Sequence, residues 1–225
     1  MTRILQGVLE FQRRIFAEKK ELFEELGKGQ KPLALFITCA DSRISPDLLA
    51  QTQPGELFHL RNAGNIVPPY GIVSGGEDAT IEFAVHYLRV RDIILCGHAK
   101  CGAIHGLLHP ENLGTLPAVG RWVEHSRGLL QRLKPGSDDE QLQQAIELNV
   151  VTQLEHLRTH PAVKTALEAR TLRMHGWVYD FERGKVTVYD PLKNQFVPLA
   201  ESIRDKMLRD AGRDQGPRSE WETRA

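Results

Sequence analysis

Acidic and basic residues balance at 29 each in 225, so the chain has no net field to draw it to nucleic acid or an anionic membrane surface. Hydrophobic residues make up 41%, enough for a substantial core, and no apolar run approaches the roughly 20 residues of a spanning helix. Three cysteines are an odd set unsuited to a disulfide framework, and Met-Thr-Arg-Ile-Leu-Gln lacks a signal-like apolar stretch, so the expected location is the cytosol and the expected partner a small molecule.

From Thr2 to about Leu26 apolar residues recur at helical spacing along two lines, Ile4, Val8, Phe11 and Ile15, and Leu5, Leu9, Phe16, Phe23 and Leu26. A helix apolar on more than one face, placed before the first strand, is expected to pack on another copy as a dimerisation arm covering residues 1–28. Gly27 to Pro32 ends it. The run from Leu33 to Thr38 reads as a buried strand, and Ser45-Pro46 opens a short helix. Leu57 to Arg61 reads as a second strand, followed by a turn-rich loop. Ser74-Gly-Gly-Glu77 has the form of a capping box before a helix whose apolar positions are Ala79, Phe83, Tyr87 and Val90. A further buried strand, Asp92 to Gly97, makes this a parallel crossover unit.

Helical patterns then cover His98 to Leu108, about 118–133 and about 139–158, the last two separated by Pro135-Gly136. Near the end, Thr171 to Asp180 and Lys185 to Tyr189 flank Glu182-Arg-Gly184, the signal of an antiparallel hairpin at a sheet edge. Residues 209–225 have the composition of a disordered tail, in which Trp221 stands out as an anchor for a partner. The expectation is one α/β domain over residues 29–208, with a mostly parallel central sheet flanked by helices.

Cys39-Ala-Asp41-Ser-Arg43 and His98-Ala-Lys-Cys101-Gly102 each follow one of the two most apolar strands. In open parallel sheets ligands bind outside the carboxyl ends of the strands. If these strands are neighbours, Cys39, His98 and Cys101 converge as a soft ligand set suited to zinc, with a fourth position free. In extended backbone Asp41 and Arg43 would share a side, so Asp41 either reaches that position or is held off it by Arg43. Spacing alone leaves structural and catalytic zinc both open. A zinc deaminase is excluded: His109-Pro-Glu111 supplies His-x-Glu, but no Pro-Cys-x-x-Cys follows. Cys96 reads as packing, and His59, His105 and His109 as candidate proton carriers.

The two motifs resemble the paired signatures of the β-class carbonic anhydrases, and Gln53-Pro-Gly-Glu56, Arg61-Asn-Ala-Gly-Asn65, Glu147-Leu-Asn149-Val and His175-Gly-Trp177 extend the likeness from about residue 25 to about 190. The resemblance implies one zinc on Cys39, His98 and Cys101, interconversion of carbon dioxide and bicarbonate, and a homodimer, often assembled further. Carried over position by position, it makes Asp41 and Arg43 the catalytic pair. It likewise makes Gln30, Phe58, Ala63, Phe83 and Gly102 substrate-binding, with Phe83 standing where plant members commonly have tyrosine. Gln30, Phe58 and Phe83 would serve the partner's site. Details such as Pro68-Pro-Tyr70 are most similar to the plant and cyanobacterial branch, which includes carboxysomal enzymes, so a carboxysome shell or scaffold protein enters as a partner. Two alternatives use the same ligands: a zinc hydrolase acting on carbon disulfide or a similar linear molecule, and a noncatalytic zinc-stabilised scaffold. Phe36, Arg61 and Tyr179 match a regulatory anion pocket in which other members carry tryptophan at the position of Phe36. Without that indole N–H the expectation is a site open at neutral pH, with Asp41 accepting from Arg43 and activity rising smoothly with pH.

Overall fold

The computed structural model describes residues 1–73 and 75–205. The Ser74 capping box and the tail with Trp221 fall outside the described residues. The chain builds one six-stranded sheet in the order β2-β1-β3-β4-β5-β6, where β1 is Ala34–Cys39, β2 Leu57–Asn62, β3 Asp92–His98, β4 Arg173–Asp180, β5 Lys185–Asp190 and β6 Gln195–Pro198. β1 to β4 run parallel, and β5 and β6 are antiparallel additions at one edge. Every residue of β1 is buried, as expected of a central parallel strand covered on both faces.

The expected arm is present as α1, Thr2–Glu10, which continues through a π turn at Phe11–Ile15, and α2, Lys20–Leu26. Neither helix buries a residue, and Phe11, Phe16 and Phe23 cluster edge-on and tilted on its surface. α3 is Pro46–Ala50 with Pro46 in its first turn, and α4 is Gly76–Glu82, passing into a second π turn at Phe83–Tyr87. α5, Gly102–Leu108, leads to α6, Pro117–Val123, which tightens to a 3-10 helix over Glu124–Arg132 where the sequence pattern suggests one continuous helix.

α7, Asp138–Leu157, opens with a capping box between Ser137 and Glu140 and lies across β3 and β4. Gly97 and Gly176 permit that approach, because a Cβ on either would come within 2.9 Å or less of Val150. α8, Pro161–Glu168, and β6 have no counterpart in the sequence reading. α8 is only two turns long and β6 four residues, too short for either periodicity to register.

Candidate metal centre at the ends of two neighbouring strands

β1 and β3 are parallel neighbours with Thr38 opposite Cys96, so both strands end at the same level of the sheet. Cys39 and His98 are their last residues. The chain then turns through Lys100, whose φ of 54° is left-handed, and Cys101 becomes the N-cap of α5. The ligand atoms of Cys39, His98 and Cys101 lie within 4.8 Å of one another, and all three residues are buried.

His98 Nδ1 is 2.8 Å from the Ala99 carbonyl. A carbonyl oxygen only accepts, so Nδ1 carries the proton and Nε2 keeps its lone pair. That Nε2 is buried and has no hydrogen-bond partner among the described residues. A buried acceptor left unsatisfied is costly, and a cation shared with two thiolates would satisfy it. The neighbouring Cys101 thiol holds Cys39 well below the usual thiol range, at about 4. The same contact, together with burial, pushes Cys101 up, while the N–H groups of Ala103 and Ile104 at the start of α5 pull against it. By donor type, burial and the orphaned nitrogen, the cluster fits a zinc ion.

Asp41 lies beside this cluster with Oδ2 3.9 Å from His98 Nε2. Arg43 grips it bidentately, Nε to Oδ1 at 2.9 Å and an Nη to Oδ2 at 2.7 Å, and holds its carboxyl well below the usual carboxylate range. The pairing arises differently from the extended alternation expected: Arg43 N–H also donates to Asp41 Oδ1 at 2.9 Å, closing a turn. Arg43 in turn stacks 4.4 Å over the Phe181 ring and donates to the Lys100 carbonyl. Arg61 spends its guanidinium on the carbonyls of Cys39, Asp41 and Ile44, and so ties down the loop that carries the ligands. Phe36 is fully buried, edge-on to Trp177.

Ala63 and Gly102 sit at the centre itself. Ala63 begins the turn after β2, and a Cβ on Gly64 would meet Ala103, the residue after Gly102, at 3.1 Å. Phe58 and Phe83 pack tilted against each other, their ring centroids 5.8 Å apart. Phe58 pairs with Leu35, four residues before Cys39, or ~13 Å along the strand at 3.3 Å per residue. Gln30 is exposed on the segment between α2 and β1. Of the candidate proton carriers, His59 Nε2 lies 3.4 Å from Asp47, and His105 and His109 face each other at 4.5 Å. Cys96 is a core residue whose thiol burial pushes up to about 12. A surface cleft of about 640 Å³ between α4 and α8, lined by Glu82, His86, Arg89 and Thr165, contains none of the candidate residues.

Sequence reasoning missed Phe181, Trp122 and Asn149 as site neighbours. Trp122 Nε1 donates to the Ala63 carbonyl and Asn149 Nδ2 to the Gly64 carbonyl, across 59 and 85 residues of chain. Only the family-like stretch around Asn149 carried any signal.

Comparison with known proteins places these features in a family context. The family model for carbonic anhydrase matches residues 34–186. A carbonic anhydrase of Pseudomonas aeruginosa is 46% identical over 89% of this chain and 93% of its own length, and one of Synechocystis 41% identical over 88% and 74%. Among solved structures, the β-carbonic anhydrase CcaA superposes with a TM-score of 0.82 at 41% identity, covering 88% of this chain and 91% of that one. One of the structures described as two tetrameric β-carbonic anhydrases from Sordaria macrospora gives 0.73 at 29% identity, covering 83% and 95%.

Proposed function

The chain belongs to the β-carbonic anhydrases, enzymes that interconvert carbon dioxide and bicarbonate, and from that premise we propose that it works with one zinc ion per chain on Cys39, His98 and Cys101. The observation that carries this reading is the buried cluster of two thiols and an imidazole whose Nε2 has no hydrogen-bond partner among the described residues. Zinc held there would supply Lewis-acid chemistry, making a water nucleophilic near neutral pH.

The surrounding residues divide the remaining work. Asp41, kept ionised and in place by Arg43, offers Oδ2 beside the cluster as the acceptor for a hydrogen bond or proton from the reacting oxygen. Gly102 N–H, in the first turn of α5, is a donor for bicarbonate, and Ala63 forms part of the apolar wall for carbon dioxide. Because Arg43 engages both carboxylate oxygens, the resting site we propose is the open one.

Gln30, Phe58 and Phe83 complete the site of a second copy. Phe58 lies ~13 Å along the sheet from its own chain's ligands. The arm exposes Ile4, Leu5, Val8 and Leu9, apolar surface that a homodimer would cover. We place the enzyme in the cytosol; no helix among the described residues is long and apolar enough to cross a membrane. Packaging by a carboxysome shell or scaffold protein is supported only by the plant and cyanobacterial likeness in the sequence.

The test is stopped-flow hydration of carbon dioxide on protein of measured metal content, wild type against Cys101→Ser. The wild type is expected to hold one zinc per chain and to turn over. The variant is expected to lose both properties, and an active, fully metallated Cys101→Ser protein would refute the ligand assignment.

A further inference from the structure

One ligand sulfur is held by more than the metal site itself. Gly64 N–H donates to Cys39 Sγ at 3.3 Å. Gly64 adopts φ 79° and ψ 18°, a left-handed conformation open to glycine, and the direction of its N–H is set by what holds the turn. The braces come from two helices. The amide that carries this N–H is the Ala63–Gly64 unit, and its carbonyl oxygen accepts from Trp122 Nε1 at 2.7 Å. The next carbonyl, that of Gly64, accepts from Asn149 Nδ2 at 2.9 Å. Asn149 is itself fixed by Ser126 Oγ and Gln153 Nε2 on its Oδ1, at 2.8 and 2.9 Å, and all three of these residues are buried.

Indole N–H, peptide carbonyl, peptide N–H and sulfur therefore form one continuous line of donors and acceptors. An amide whose oxygen accepts a hydrogen bond becomes a stronger donor at nitrogen, because both effects draw on the same resonance. Groups that hydrogen-bond to metal ligands set the ligands' orientation and the charge they share with the metal.

We propose that Trp122 is a positioning residue for the metal thiolate, its indole N–H fixing and polarising the Ala63–Gly64 peptide so that Gly64 N–H stays directed at Cys39 Sγ. The proposal rests on the reading that Cys39 ligates the metal. It assigns Trp122 a role distinct from its packing against the hydrophobic core, because that packing needs the ring while the relay needs only the N–H.

The test separates ring from N–H. Three variants are compared with wild type as full-length, metal-loaded enzyme: Trp122→Phe; Trp122 replaced by β-(3-benzothienyl)alanine, which keeps the bicyclic ring and puts sulfur at the N–H position; and Trp177→Phe, which alters an indole packed on Phe36 instead. The readouts are the thiolate-to-cobalt charge-transfer band of the Co²⁺-substituted protein and zinc affinity in competition with a chelator. In both Trp122 proteins the band is expected to move to lower energy, as the less stabilised thiolate gives up charge more easily, and zinc affinity to fall about tenfold. Trp177→Phe should leave both at wild-type values. Wild-type band and affinity in the benzothienyl protein would overturn the proposal whatever Trp122→Phe does, and so would an equal shift in Trp177→Phe. The isosteric protein decides the matter if Trp122→Phe does not fold. A wild-type protein with no thiolate charge-transfer band would instead remove the metal assignment on which the proposal stands.

Discussion

Asp41 has both oxygens taken by Arg43, so it stays ionised through the neutral range and cannot serve as an acid there. In the proposed reaction its use is therefore as an acceptor. Asp41→Asn keeps the shape but replaces one acceptor oxygen with an amide donor, and kcat for hydration is expected to drop by about 10²-fold or more. Metal content should stay at the wild-type level, since Asp41 is not among the three proposed ligands. Unchanged kcat in the fully loaded variant would remove Asp41 from the chemistry. The ligands were readable at this scale because cysteine and histidine are scarce residue types standing directly after strand-like runs. The partners of those ligands were not. Phe181 reaches Arg43 from the β4–β5 turn and Trp122 reaches Ala63 from α6, contacts that only folding brings about.

Among elements, the amino-terminal arm stands apart. α1 and α2 bury nothing within the chain, while Ile4 is 67% and Leu5 57% exposed, so these helices are held by little of their own domain. Contacts to the body gather near α2, where Lys19 bonds to Gln53 and Leu26 fills the space beside Gly55. Deleting residues 1–24 is expected to yield monomers by analytical ultracentrifugation and to lower activity, because Phe58 and Phe83 would no longer meet a partner's site. A monomeric truncation with full activity would show each site to be complete in one chain. The two apolar lines of this arm were plain in the sequence because periodicity is a local property. The change of α6 into a 3-10 helix was not, and neither was α8.

For the molecule as a whole, two histidines partly or wholly withdrawn from solvent tie stability to pH. Burial holds His156 and His160 below the usual imidazole range, outweighing the carbonyls of Val67 and Pro68 that favour the protonated ring. Asp78, 3.7 Å from His160, and Glu155 near His156 oppose the shift without reversing it. With the folded value depressed, the unfolded chain binds more protons once pH falls below the unfolded value of about 6.5. Stability is therefore complete above that pH and is lost as pH falls from there through the folded values. Depressed carboxylates such as Asp180 add to the loss only below about 4. Urea midpoints are expected to decline from pH 7 to about 5.5 in the wild type and to change less in a His156→Gln, His160→Gln double variant. Equal slopes for the two proteins would show that the histidines are not responsible.

The amino-acid sequence by itself determined the class of this fold and singled out the three residues of its candidate metal centre, because strand burial, helix periodicity and the rarity of soft ligands are written locally. Tertiary structure alone decided that β1 and β3 lie side by side, which brings Cys39 to His98 and Cys101. It decided equally that Phe58 lies ~13 Å along the sheet from Cys39 with Phe83 packed on it, and that Arg61 braces the ligand loop. Strand order and register set those distances. They follow from how α7 packs against Gly97 and Gly176 and from which strands pair, neither of which is encoded within any single stretch of residues.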